Sequence, residues 1–172
     1  MPFKATGMSV KKIQQEISYI RNVFGLRNAL YFPIIPFVEK VLYNVFDDYT
    51  FDVVPFEELG EKHGETLPDE HTIKIREDIY LRAVAGNGRD RLTIAHEIGH
   101  LFMHDKSHIS FCRLGNGQKL PAYEDPEWQA DCFGGELLAP AYLIKDMDIA
   151  DIMRQCGITF DAAKNQLKHA IK

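Results

Sequence analysis

The segment from Arg91 to about His104 constrains the fold most. It is apolar on almost every helical face, through Leu92, Ile94, Ala95, Ile98, Leu101, Phe102 and Met103, and a helix with so little polar surface belongs inside a domain. Yet it carries His96, Glu97 and His100, and burying such groups without partners costs several kcal/mol. Residues four apart on a helix differ by about 6 Å of rise and about 40° of rotation, so both imidazoles project from one face and can grip one ion. Neutral imidazole nitrogens suit zinc at about 2.0–2.1 Å. Glu97 lies one step round the helix, placed to take a proton from an attacking water without ligating the ion, the arrangement of metal-dependent peptide hydrolysis.

A catalytic zinc needs a third protein ligand. Asp125-Pro126 reads as an N-cap followed by proline at the first helical position, opening a helix that runs to about Ala139. Glu127 in its first turn is the favoured ligand, with the ordinary role of a first-turn acid facing the helix dipole as the alternative. Asp131, one turn on, shares its face and can accept the free N–H of a ligating histidine. Glu136 is turned to the opposite face, and Glu124 sits on more flexible chain before the cap. His104 lies about 12 Å along the axis from His96, too far to share its ion, and is expected to support a ligand or touch substrate. The longer pattern of a glycine and a third histidine after the first two is absent, which excludes a metzincin.

His96-Glu97-Ile98-Gly99-His100-Leu101-Phe102-Met103-His104, preceded by Arg91-Leu92-Thr93-Ile94-Ala95 and followed by Glu127-Trp128-Gln129-Ala130-Asp131-Cys132-Phe133 and Glu136-Leu137-Leu138-Ala139-Pro140, resembles the ImmA/IrrE family of zinc metallo-endopeptidases. The resemblance runs from about Ile73 to the C-terminus. It implies one Zn2+ per chain on His96, His100 and Glu127, with Glu97 as general base, in a compact zincin-like α+β domain. Family members commonly cleave a helix-turn-helix repressor encoded beside them, so the implied partner is a protein substrate of that kind. Asp131 stands where many members carry Asn, Gly134-Gly135 replaces a more helix-favouring pair, and the region before Phe51 matches nothing recognisable.

The remaining sequence outlines the scaffold. Ile13, Ile17, Ile20 and Phe24 repeat at helical spacing and predict a helix from Ser9 to about Leu30, separated by Pro33 to Pro36 from a second carrying Val38, Leu42, Val45 and Phe46. Phe51 to Phe56, Thr72 to Ile75 and Ile79 to Val84 read as strands of a small, largely antiparallel sheet, with Ile109 to Leu114 a further short strand. If Thr72 to Val84 is an edge hairpin, an extended substrate can add to it, and proline at Ile73 or Ile75 would impair cleavage. Gly86-Asn87-Gly88 reads as a turn into the metal helix. Ile149 to Cys156 and Thr159 to Ile171 read as two helices joined at Gly157. Residues 1–50 form an N-terminal helical segment on a domain of residues 51–147 plus the pair in 148–172, together one structural unit.

The helical pair has a helix-turn-helix look, but from Asp148 onward four basic residues face three acidic ones, and the whole chain of 172 residues carries a net charge of −5. Packing, not direct nucleic-acid binding, is the expectation. Cys112, Cys132 and Cys156 are widely spaced and read as reduced core residues rather than a disulfide framework, and no local signature makes Cys112 a thiol nucleophile. With no leader or membrane-spanning run apparent, a cytoplasmic setting away from membranes is expected. Tyr123 and Tyr142, with His104, are candidates to polarise the scissile carbonyl. Two rival readings stand beside the protease: a non-catalytic, metal-stabilised binding module, and the toxin component of a toxin–antitoxin pair.

Overall fold

Capping decides where the first helix begins, and glycine where it ends. In the computed structural model, which describes residues 2–171, strand β1 (Phe3–Ala5) leads to helix α1 (Val10–Val23). Ser9 Oγ accepts a hydrogen bond from the Lys12 amide at 3.1 Å, satisfying a first-turn donor. The helix stops well short of Leu30 because Gly25 takes a left-handed φ of 69° just beyond it. The next helical stretch starts at Ile34, earlier than expected: α2 (Ile34–Pro36) runs into a π turn, Phe37–Val41, and a 3-10 turn, Leu42–Asn44. The prolines thus open this stretch instead of preceding it, since first-turn amides lack helical partners anyway.

Strand β2 (Thr50–Val54), the short helix α3 (Phe56–Leu59), β3 (Gly64–Leu67) and β4 (Thr72–Arg76) follow. Their sheet has the order β2-β4-β3, with β2 parallel and β3 antiparallel to β4. The segment expected as a strand at Ile79 to Val84 is instead part of helix α4 (Glu77–Val84). Ile79, Leu81 and Ala83 alternate as a strand would, but the buried pair is Ile79 and Ala83, one helical turn apart, and Glu77 and Asp78 supply the acids a helix N-terminus favours. The hairpin at Thr72 to Val84 therefore does not exist. Strand β4 is central, Ile73 and Ile75 are fully buried, and proline at either would break the sheet rather than block an edge. The sheet edge that lies beside Glu97 is β3.

Helix α5 (Gly88–Met103) is the expected interior rod. Gly86, at φ 92°, turns the chain, and the Asn87 side chain caps the helix by accepting from the Asp90 amide at 3.1 Å. After it, β5 (Ile109–Phe111) pairs antiparallel with β1, so two of the three strand pairings are antiparallel. Asp125 caps helix α6 (Pro126–Leu138) through the Glu127 amide at 3.0 Å. Helices α7 (Ala141–Ile144), α8 (Ile149–Cys156) and α9 (Phe160–Ile171) close the chain, with Gly157 at φ 66° between the last two. The α8–α9 pair packs inward, burying Ile152, Cys156, Ala163 and Gln166.

Helices α5 and α6 touch through glycines. A Cβ on Gly99 would stand 3.1 Å from the Phe133 Cβ, and one on Gly134 would stand 3.1 Å from the His96 amide nitrogen. A Cβ on Gly135 would lie 2.5 Å from Gln166 Oε1. The Gly134-Gly135 pair thus exchanges helix propensity for close approach. Two buried arginines tie this core to its surroundings without any carboxylate. Arg21 donates to the carbonyls of Leu137 and Ala29. Arg91, under the Tyr31 ring, donates to Gly157 at 3.1 Å and Phe32 at 3.0 Å. Buried apolar side chains from Ile13 to Ala163 form one cluster. Cys132 and Cys156 belong to it, whereas Cys112 is half-buried beside β5, its thiol 3.5 Å from the Pro2 carbonyl. The core assignment therefore fails for Cys112, which follows the exposed end of β5. Among the described residues, no helix is long and apolar enough to cross a membrane.

Candidate active site

The one-turn spacing of His96 and His100 on α5 brings their Nε2 atoms within 3.0 Å of each other. Helix α6 presents Glu127 from the side, its carboxylate oxygens 3.2 Å from His96 Nε2 and 3.4 Å from His100 Nε2. The asparagine and aspartate caps set the starts of both helices, and the glycine contacts set their separation, so the meeting point of the three side chains is specified locally. Ligand atoms at about 2.0–2.1 Å from a tetrahedral ion lie about 3.3 Å apart. The three side chains form a triangle in which the Nε2 atoms are 3.0 Å apart, Glu127 Oε2 is 3.2 Å from His96 Nε2 and Glu127 Oε1 is 3.4 Å from His100 Nε2; each contact is close to that edge length, and two imidazoles and a carboxylate are a zinc donor set. The residues fit the ion that the sequence implies.

Charge points the same way. Burial opposes the charged form of His96, but its hydrogen bonds with Asp131 and Glu127 and the charge of Glu97 outweigh it and push the imidazole up to about 10. Hydrogen bonds from His100 and His96 hold Glu127 far below the usual carboxylate range. The acids around the two rings thus favour positive charge at this point of the fold.

Asp131 Oδ1 lies 2.7 Å from His96 Nδ1, on the ring edge away from Glu127. Glu97 is 8% exposed. The Thr66 hydroxyl on β3 lies 2.6 Å from its Oε2 and 3.0 Å from its backbone carbonyl. Burial raises the Glu97 carboxyl, partly offset by the Thr66 hydrogen bond and the two histidines. Gly64 leaves the space the side chain occupies, because a Cβ there would stand 2.9 Å from Glu97 Cγ. His104, at the C-cap of α5, is 6% exposed and has both ring nitrogens engaged, Nδ1 with His100 Nδ1 at 2.8 Å and Nε2 with Gln129 Oε1 at 2.9 Å. Burial pushes its imidazole down to about 4, so the ring is neutral near pH 7.

Neither tyrosine hydroxyl is hydrogen-bonded to this cluster. Tyr142 donates to the Arg27 carbonyl at 2.6 Å beyond the far end of α6. Tyr123 is half-exposed, with its ring beside Gly7. Glu136 is buried on the opposite face of α6, accepting from Gln14 and from the Ala141 amide, and Glu124 pairs with Lys4 at 3.0 Å. Gly64, Thr66 and Gln129 had no assigned role at the sequence level.

The family model for the IrrE N-terminal-like domain, Peptidase M78, matches residues 52–168. The chain belongs to this peptidase family. No curated protein matches it. The M78 match runs from within β2 to within α9 and takes in both helices of the cluster, while β1, α1 and α2 lie outside it. His96, His100 and Glu127, with ligand atoms all within 4.8 Å of one another, form the possible metal cluster of this M78 peptidase, in a zincin-like α+β fold.

Proposed function

We propose that this chain is a zinc-dependent endopeptidase that cleaves a protein partner, a helix-turn-helix repressor, and so relieves repression. The observation that carries the reading is the convergence of His96, His100 and Glu127, whose ligand atoms lie within 4.8 Å of one another, with the buried Glu97 beside them. One zinc ion bound there would polarise a peptide carbonyl and acidify a water molecule. Glu97 is the general base: burial raises its proton affinity toward the working range, and Thr66 holds one carboxylate oxygen so that the other is free to take the proton. Asp131 orients His96 by accepting its Nδ1 proton. The free edge of β3 adjoins Glu97, so an extended segment of the partner adds there as a further strand. Three cysteines without disulfides accord with a cytoplasmic setting.

The test is incubation of the metal-loaded protein with the repressor encoded nearest to it, with and without chelator, and fragment analysis by mass. Discrete fragments that vanish on chelation support the reading, and an intact repressor under all conditions removes it. A second expected outcome concerns Gly64→Ala. The added methyl displaces Glu97, and since a 1 Å misplacement can cost about 10²-fold in rate, kcat should fall on that order while bound metal measured by elemental analysis stays unchanged.

A further inference from the structure

We propose that His104 and Gln129 are positioning residues that set the ring tautomer of His100, with the Thr6 carbonyl from the N-terminal segment as their outer anchor. The proposal rests on the reading that the cluster holds a divalent metal. Its logic starts at the far end. Gln129, 1% exposed on α6, places Nε2 at 2.9 Å from the Thr6 carbonyl and 2.7 Å from the Tyr123 carbonyl. Carbonyl oxygens only accept, so both amide hydrogens are committed and Oε1 is the atom that faces His104. An amide oxygen also only accepts, so His104 Nε2, 2.9 Å away, carries a proton.

His104 Nδ1 lies 2.8 Å from His100 Nδ1, and one of these two nitrogens donates while the other accepts; with its donor committed to Gln129, His104 offers Nδ1 as the acceptor. The proton between those two nitrogens belongs to His100, which leaves His100 Nε2 with its lone pair directed into the triangle. Turning the amide of Gln129 over would set its oxygen against two carbonyls and its NH2 against the His104 N–H, so the chain of donors runs one way only. The two histidines of the cluster are therefore held by different means. His96 uses the exposed carboxylate of Asp131, and His100 uses a buried, uncharged chain that ends outside the family match. The Thr6 amide bonds to the His108 carbonyl at 2.7 Å and the Met8 amide to the Tyr123 carbonyl at 2.8 Å, which fastens the anchoring segment on both sides.

Two substitutions separate this role from simple packing. In His104→Asn the side-chain oxygen takes the place of Nδ1 and still accepts from His100. In His104→Gln the amide takes the place of Nε2, keeps Gln129 company and leaves His100 without an acceptor. Zinc affinity, measured by competition with a chromophoric chelator, should fall about 10–100-fold in His104→Gln and stay within about threefold in His104→Asn, the scale of loss seen when a supporting partner of a ligand is removed. Equal losses in both variants, or none in either, overturn the relay. Nitrogen-15 spectra of the zinc-loaded wild-type protein give an independent reading that needs no variant to fold: protons on His100 Nδ1 and His104 Nε2 support the relay, and a proton on His104 Nδ1 overturns it. A wild-type protein that binds no zinc at all would instead remove the metal-centre reading itself.

Discussion

Glu97→Gln is expected to slow peptide cleavage by about 10²–10⁴-fold while the protein keeps a full equivalent of metal. The change is isosteric, and the Thr66 hydroxyl, 2.6 Å from Oε2 in the wild type, still finds an acceptor, so the loop of β3 and the helix face remain in place. What disappears is, among the described residues, the one buried carboxylate beside the triangle that is not committed to a ligand position. General-base contributions run to about 10²–10⁴ in rate, and the residual activity should lie in that range below wild type. Fragment yield by mass spectrometry and metal content by elemental analysis check both halves. The same variant separates the rival readings: a metal-stabilised binding module would still sequester its repressor with glutamine at position 97, and a toxin acting without hydrolysis would keep its effect.

Removal of the metal should have the largest effect on stability. Glu127 belongs to α6 and the two histidines to α5, so an ion held by all three joins the helices that form the centre of the core. A ligand present at about 1,000 times its dissociation constant stabilises the native state by about 4 kcal/mol. For a chain of this size, each kcal/mol moves the melting temperature by about 2–4 °C, so chelation should lower it by about 8–16 °C. His100→Ala should melt near the chelated wild type and show no response to added zinc. Scanning calorimetry with and without chelator reads this directly, and a transition that ignores both chelator and zinc would leave the triangle without an ion.

How much of this was legible beforehand follows from how local each signal is. Helices α5 and α6 could be placed from the sequence because repeated four-residue spacing and a cap followed by proline are short-range patterns. The histidine-glutamate cluster depends only on those two elements. Residues 77–84 misled because Ile79, Leu81 and Ala83 satisfy a two-residue period, while burial of Ile79 with Ala83 is a tertiary choice. Strand β3 was missed because Gly-Glu-Thr-Leu contains one apolar residue and owes its extended form to pairing with β4. Gln129 was unreadable for a similar reason. Its partners are carbonyls of residues 6 and 123 and a ring at position 104, and nothing along the chain announces that those meet.

Arg91 has a consequence for the chain's two ends. From one turn above His96 it grips the loop at Phe32 and the bend at Gly157 through carbonyl oxygens alone, with no acid to release it as pH changes. The first fifty residues and the last twenty are therefore moored to the same rod that carries the chemistry. Cleavage of the chain at Phe32 or Gly157 would first require freeing those carbonyls from Arg91, so resistance to nicking at these two points and integrity of the catalytic helix should rise and fall together.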